Sequence, residues 1–234
     1  MFVRAVIFAN GAFSSSEQAR GTLRLDDVLI AADGGVHHCR TLGLWPSVVI
    51  GDLDSLSNSD QEALVAHGIQ IIAYPRDKDQ TDLELALNYA IQIGVEEIVL
   101  FGMIGGRLDQ TLANLLLLSR EEWGTIRLVA IDGPDTIYLL RDSDRIFVQG
   151  KRGDIISLVP LSPKVTGVTT RGLRWPLKRA SLQFGSTLSL SNELADVSAQ
   201  VQIGTGKLLL IHRTSDDPKI ESRFSTLKPQ SSKE

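Results

Sequence analysis

Two aspartates one residue apart, Asp52 and Asp54, stand directly after the apolar run Val48-Val49-Ile50-Gly51. If the backbone stays extended, residues two apart share a face of a strand and both carboxylates converge on one point. A divalent cation relieves their repulsion, and hard oxygen donors of this type suit Mg2+. The other reading is a turn or helix cap at Asp54-Ser55, with Asp52 solvated. Three more segments carry similar groups: Ala32-Asp33-Gly34-Gly35, Lys78-Asp79-Gln80-Thr81-Asp82, and a stretch from Gly102 to Gln110 that includes Gly105, Gly106, Arg107 and Asp109. Singly, Asp33 and Asp109 read equally as helix N-caps, Asp82 as a residue favoured by a helix dipole, and the glycines as turns. Together they suit phosphoryl or pyrophosphoryl transfer. Glycines let backbone N–H groups approach phosphate oxygens, and helix N-termini favour negative charge. Lys78 and Arg107 can neutralise non-bridging oxygens, while the carboxylates hold a metal that screens developing charge. The chain has neither a G-x-x-x-x-G-K-[ST] loop nor a G-x-G-x-x-G fingerprint, which excludes a P-loop protein and a standard dinucleotide binder.

The elements that must position these groups alternate. Residues 3–9, 28–32, 48–50, 69–73, 98–101 and 128–131 are short, nearly continuous apolar runs, as expected of strands covered on both faces. Between them lies helical patterning, clearest over 82–93, where Leu83, Ala86, Leu87, Ala90 and Ile91 form one stripe. Thr81-Asp82-Leu83-Glu84 reads as a capping box and Gly94 as the stop. A second helix is expected from Asp109 to about residue 120, with Leu112, Leu115 and Leu116 inward. This alternation predicts a doubly wound, mostly parallel α/β domain over residues 1–134, with ligands beyond the carboxyl ends of its strands. After Gly133-Pro134 the pattern changes to short strand-like pieces at 137–140, 145–148, 155–159, 165–169, 187–190, 197–203 and 208–212. An all-β sandwich over 135–213 is expected there, followed by a polar, frayed tail over 214–234.

In this order, ADGG (32–35), GDLDS (51–55), KDQTD (78–82) and GGRLDQTLAN (105–114) resemble the thiamin pyrophosphokinase family. Residues 157–177, SLSNEL (189–194) and GTGKLLLIH (204–212) are similar to that family's C-terminal domain, so the resemblance covers about residues 3–212. It implies transfer of the pyrophosphoryl group of ATP to the hydroxyl of thiamin, with release of AMP. Carried over, it makes Asp52, Asp54 and Asp82 the Mg2+-binding, catalytic carboxylates with Asp33 nearby. It places Lys78, Gln80, Thr81, Arg107 and Asp109 along the nucleotide and phosphates. It also implies a homodimer, with thiamin near the subunit interface against Trp175, Ser191 and Asn192. On its own residues, Trp175 is either an indole platform for a cationic heteroaromatic ligand or core filler beside Arg174 and Pro176. A hydroxymethylpterin diphosphokinase with the same ATP and metal groups is the nearest alternative, separated only by the acceptor pocket. A non-catalytic nucleotide-sensing module is a second.

Composition sets the remaining bounds. Apolar residues make up 43% and charged residues 22% of the 234, ordinary for a soluble globular chain. A net charge of -4 gives no sequence-independent grip on nucleic acid or an anionic membrane. Cys39 is the only cysteine, so an intrachain disulfide is impossible and a reducing, cytoplasmic setting is expected. The apolar run near residue 3 is too short for a signal-peptide core or a spanning helix. His37-His38-Cys39 is not expected to hold a metal, because helix neighbours diverge by about 100°.

Overall fold

A computed structural model describes residues 3–14 and 16–215. The chain divides into two compact units, Met1–Leu139 and Leu140–Glu234. In the first, six parallel strands, β1 (Arg4–Phe8), β2 (Val28–Ala32), β3 (Val48–Gly51), β4 (Gln70–Ala73), β5 (Glu97–Phe101) and β6 (Arg127–Asp132), alternate with helices. The helices are α1 (Ser16–Thr22), α2 (Val36–Thr41), α3 (Asn58–Ala66), α4 (Asp82–Gln92) and α5 (Leu108–Leu117). The strand order is β4-β3-β2-β1-β5-β6, closed by the antiparallel β7 (Asp135–Leu140). Every residue of β1, β3 and β5 is buried, which is why these segments read as unbroken apolar runs rather than as alternation. The one charge in β1, Arg4, survives burial because both oxygens of Asp27 accept from it at 2.7 Å. The division falls after Leu139 rather than after Pro134, because a tight turn between Asp132 and Asp135 folds β7 back onto β6.

The two patterned helices behave differently. In α4, Leu83, Leu85, Ala86, Leu87 and Ala90 are buried and the Thr81 hydroxyl accepts from the Glu84 N–H at 3.2 Å. Only this half of the expected capping box forms, since the Glu84 carboxylate is taken by Gln80 and Arg120. In α5 no residue is buried, and Leu108, Leu112 and Leu116 are 82%, 55% and 45% exposed. The expectation that Leu112 and Leu116 point inward is therefore corrected. Helical spacing identifies an apolar stripe, but not whether the same chain covers it.

The second unit is all-β, so the chain forms the expected α/β unit followed by an all-β unit. β8 (Arg145–Gln149), β10 (Lys164–Arg171), β11 (Ala180–Gln183) and β13 (Ser198–Gln202) pair in the order β11-β10-β13-β8, and β9 (Ile155–Pro160), β12 (Asn192–Glu193) and β14 (Leu208–Arg213) in the order β12-β9-β14, all antiparallel. The strand expected at 187–190 is a turn, pinned to β9 by the buried Ser189 hydroxyl, which donates to Leu158 O at 2.7 Å. Asp154, 1% exposed, gathers the end of this unit. Its carboxylate accepts from Lys151 N–H, from Ser215 N–H and hydroxyl, and lies 2.9 Å from His212 Nε2. The tail expected over 214–234 lies, from residue 216 on, outside the described residues.

Candidate active site

Chain order reverses between β1 and β5, and such a reversal opens a crevice at the carboxyl ends of the strands. A cavity of about 410 Å³ lies there, lined from the ends of β1 (Asn10, Gly11), β2 (Asp33), β3 (Asp52, Asp54, Ser55) and β5 (Gly102, Met103), with the starts of α4 and α5. Its size suits a small organic ligand.

Three carboxylates meet in it. Asp33, Asp52 and Asp82 each offer one oxygen within 4.8 Å of the others. Asp33 is 5% exposed and adopts φ +46°, in the left-handed region that a side chain disfavours. Asp52 accepts from Lys78 Nζ at 2.9 Å, and the same ammonium stands 3.2 Å from Asp82 Oδ1 without the alignment of a hydrogen bond. Asp33 Oδ1 and Asp82 Oδ1 are buried with no hydrogen-bond partner. Gly51 keeps the space between them open, since a Cβ there would lie 3.0 Å from both the Asp33 Cβ and Asp82 Oδ1.

Asp54 is not one of the three. Leu53 turns the backbone into the left-handed region at φ +61°, so the extended geometry expected between Asp52 and Asp54 does not hold. The Asp54 N–H instead donates back to Asp52 Oδ1 at 3.3 Å, and the Asp54 carboxylate stands 3.6 Å from Arg76 while lining the same cavity. The three-oxygen group includes Asp33, and Asp54 lines the cavity beside it.

The charges are unevenly held. The Lys78 hydrogen bond keeps Asp52 below its ordinary carboxylate value, against the opposing effect of burial. Burial pushes Asp82 up; the Lys78 ammonium opposes this, while Asp52 and Asp33 add repulsion. Lys78 loses by desolvation but stays raised through Asp52 and Asp82. One ammonium therefore pairs with two of the three acids, and two buried oxygens lack hydrogen-bond donors. This donor set fits a hard divalent ion such as Mg2+.

The other expected residues fall in separate places. Thr81 caps α4 and lines the cavity, whereas Gln80 turns to Glu84 at 2.8 Å. Arg107 lines the cavity and pairs at 2.5 Å with Asp109, both more than half exposed. In the second unit Trp175 is 53% exposed, so it is not core filler. Its backbone N–H donates to Asn192 Oδ1 at 3.1 Å and its backbone carbonyl accepts from Asn192 Nδ2 at 2.7 Å. One face of the indole is already covered by the Arg174 guanidinium, 4.7 Å from the ring centroid. Ser191, at φ +55°, donates its N–H to Ser157 Oγ at 3.0 Å. His37 and His38 do not converge: His37 Nε2 lies 3.4 Å from Ser55 O, and His38 Nε2 lies 3.0 Å from Gly11 O. Buried Cys39 has its thiol pushed up to about 12 by desolvation.

Residues 20–130 match the family description "Thiamin pyrophosphokinase, catalytic domain", and residues 144–210 match "Thiamin pyrophosphokinase, vitamin B1 binding domain". A thiamine pyrophosphokinase of Bacillus subtilis is 30% identical over 185 residues, covering 79% of this chain and 86% of that protein. The chain belongs to the thiamin pyrophosphokinase family. A crystal structure of thiamine pyrophosphokinase from Bacillus subtilis superposes with a TM-score of 0.81 at 28% identity, over 91% of this chain and 99% of that one. One of thiamin pyrophosphokinase from Geobacillus thermodenitrificans gives 0.78 at 26% identity, over 92% and 99%.

The three-carboxylate group lies within the residues that match the family's catalytic domain, and the Trp175–Asn192 pair within those that match its vitamin B1 binding domain. Sequence reasoning left four cavity-lining polar residues unassigned: Asn10, Ser55, Gln110 and Asn114. Gln110 and Asn114 stand in the GGRLDQTLAN motif, one and two turns into the helix that Arg107 opens, and their spacing could have found them. Asn10 follows the end of β1 as Asp33 follows that of β2, and the strand-end rule could have found it too.

Proposed function

We propose that this chain transfers the pyrophosphoryl group of ATP to the hydroxyl of thiamin, giving thiamin diphosphate and AMP. The observation that carries the reading is the meeting of Asp33, Asp52 and Asp82 at the sheet's crevice, with buried oxygens unpartnered, in a chain of this family. These three carboxylates would hold Mg2+, and Asp54 completes the acidic wall of the same cavity. A bound Mg2+ neutralises charge on the transferring phosphoryl oxygens. Lys78 offsets the repulsion between Asp52 and Asp82. Arg107 is held only by an exposed pair with Asp109, which costs little to open toward a phosphate. Thr81 orders the start of α4, and Gln80 anchors the preceding loop through Glu84. The first unit is thus the ATP and metal unit, and the second the thiamin unit and dimer partner.

The acceptor reading rests on Trp175, whose indole is exposed and whose backbone is held by Asn192. Trp175→Ala should raise the KM for thiamin about tenfold while leaving the KM for ATP within about twofold, as the loss of one cation–π face predicts. Equal changes in both constants remove Trp175 from the acceptor site. A homodimer follows from the family resemblance, and the exposed leucines of α5 supply an apolar surface open to it. Among the described residues no helix is long and apolar enough to cross a membrane, and a cytoplasmic setting accords with the single thiol. The activity is tested by following AMP release from ATP and Mg2+ with and without thiamin. Thiamin-dependent AMP in a 1:1 ratio with thiamin diphosphate is the expected result, and its absence with folded protein overturns the assignment.

A further inference from the structure

We infer that Asn10 is a positioning residue for the divalent-cation site, and that it decides which oxygen of Asp33 faces the ion. The inference rests on the reading of Asp33, Asp52 and Asp82 as a cation site and goes beyond it in naming what orients them. Asn10 leaves the carboxyl end of β1 in a segment fixed on both sides. The preceding Ala9 N–H donates to Phe101 O at 2.8 Å, the following Gly11 N–H donates to Gly102 O at 2.6 Å, and Gly11 O lies 3.0 Å from His38 Nε2, whose ring stacks on Phe13. From this anchored position the Asn10 amide nitrogen reaches Asp33 Oδ2 at 3.4 Å and Ser55 Oγ at 3.0 Å. One side chain therefore ties the ends of β1, β2 and β3.

The chemistry fixes the direction of the amide. An ionised carboxylate only accepts, so the Asn10 NH2 and not its oxygen must face Asp33. With Oδ2 occupied, Oδ1 is the oxygen left buried and unpartnered. The first glycine of the ADGG segment serves the same end. A Cβ on Gly34 would stand 2.3 Å from Asn10 Oδ1, so Gly34 makes room for Asn10. Gly35 has its own reason, since a Cβ there would fall 1.9 Å from Phe8 O. Neither glycine needs a phosphate to explain it. Groups that orient a ligating side chain typically change metal affinity about 10–100-fold when removed.

The test uses the full chain without ATP or thiamin and reads free Mn2+ by electron paramagnetic resonance. Asn10→Ala, and the similarly sized Asn10→Leu that can neither donate nor ligate, should each bind Mn2+ at least about tenfold more weakly than the parent. Their melting temperatures in chelator should match the parent within a few degrees. Either variant that stays folded decides the outcome, and Asn10→Leu keeps the volume if Asn10→Ala melts early. Parent-like Mn2+ affinity in a folded variant overturns the positioning role while leaving the cation site standing. Failure of the parent itself to bind Mn2+ overturns the cation site and this inference together.

Discussion

Asp82→Asn should lower thiamin-dependent AMP formation at least about 1,000-fold, the scale of removing a group that supports charge stabilisation in the transition state. The same substitution should leave the metal-free protein melting at the parent temperature or above it. Asp82 is raised above its ordinary value by burial, assisted by Asp52 and Asp33 and opposed by Lys78, so its ionised form costs the fold stability at neutral pH. The sign is fixed: a carboxyl raised in the folded state favours folding when protonated and opposes it once ionised, and Asn removes the opposing charge. Lys78 retains Asp52 at 2.9 Å and is not stranded. Added Mg2+ should raise the melting temperature of the parent and much less that of the variant, because a ligand stabilises only what binds it. A variant that unfolds readily while keeping its turnover per folded molecule makes Asp82 a structural residue.

The second large effect is on stability in acid. Asp154 is pushed up by burial, yet the Lys151 N–H, His212 and the two Ser215 donors together hold it at about 2, against an ordinary 3.8. A carboxylate depressed on folding stabilises above its unfolded value and loses that stabilisation as pH falls through its folded value. Here the window runs from about pH 4 to about pH 2, and the gap corresponds to about 2 kcal/mol. At 1% exposure, solvent screens little of it. Asp154→Asn should cost about 3 kcal/mol at neutral pH, because it leaves buried donors unmatched. It should also flatten stability between about pH 4 and pH 2. Urea unfolding of the two proteins across that range measures both; an unchanged slope in the variant excludes Asp154 as its source.

Much of the first unit was legible because its signals are local. β2 begins and ends where its apolar run does, and α4 starts at Thr81 and keeps its stripe inward. These follow from burial on both faces of a parallel strand and from 3.6-residue periodicity, and neither needs a distant partner. α5 shows the limit: Leu112 and Leu116 carry the same periodic signature as the buried face of α4 but stand open to solvent. In the second unit, where strands are short and pairing is non-local, 187–190 reads as a strand by composition. The Ser189 hydrogen bonds to Leu158 hold it as a turn.

The site divides the same way. The chain's own order of residues determined that carboxylates, glycines and basic groups would gather at strand ends, and hence the class of chemistry and the family. Which carboxylates share a point was decided only in three dimensions. A left-handed Leu53 swings Asp54 out of the group, and the close approach of Gly51 to Asp33 and Asp82 brings in an acid that lies far away along the chain. A single backbone torsion redirects a side chain by several ångströms, and local composition does not specify that torsion; the packing of neighbouring strand ends does.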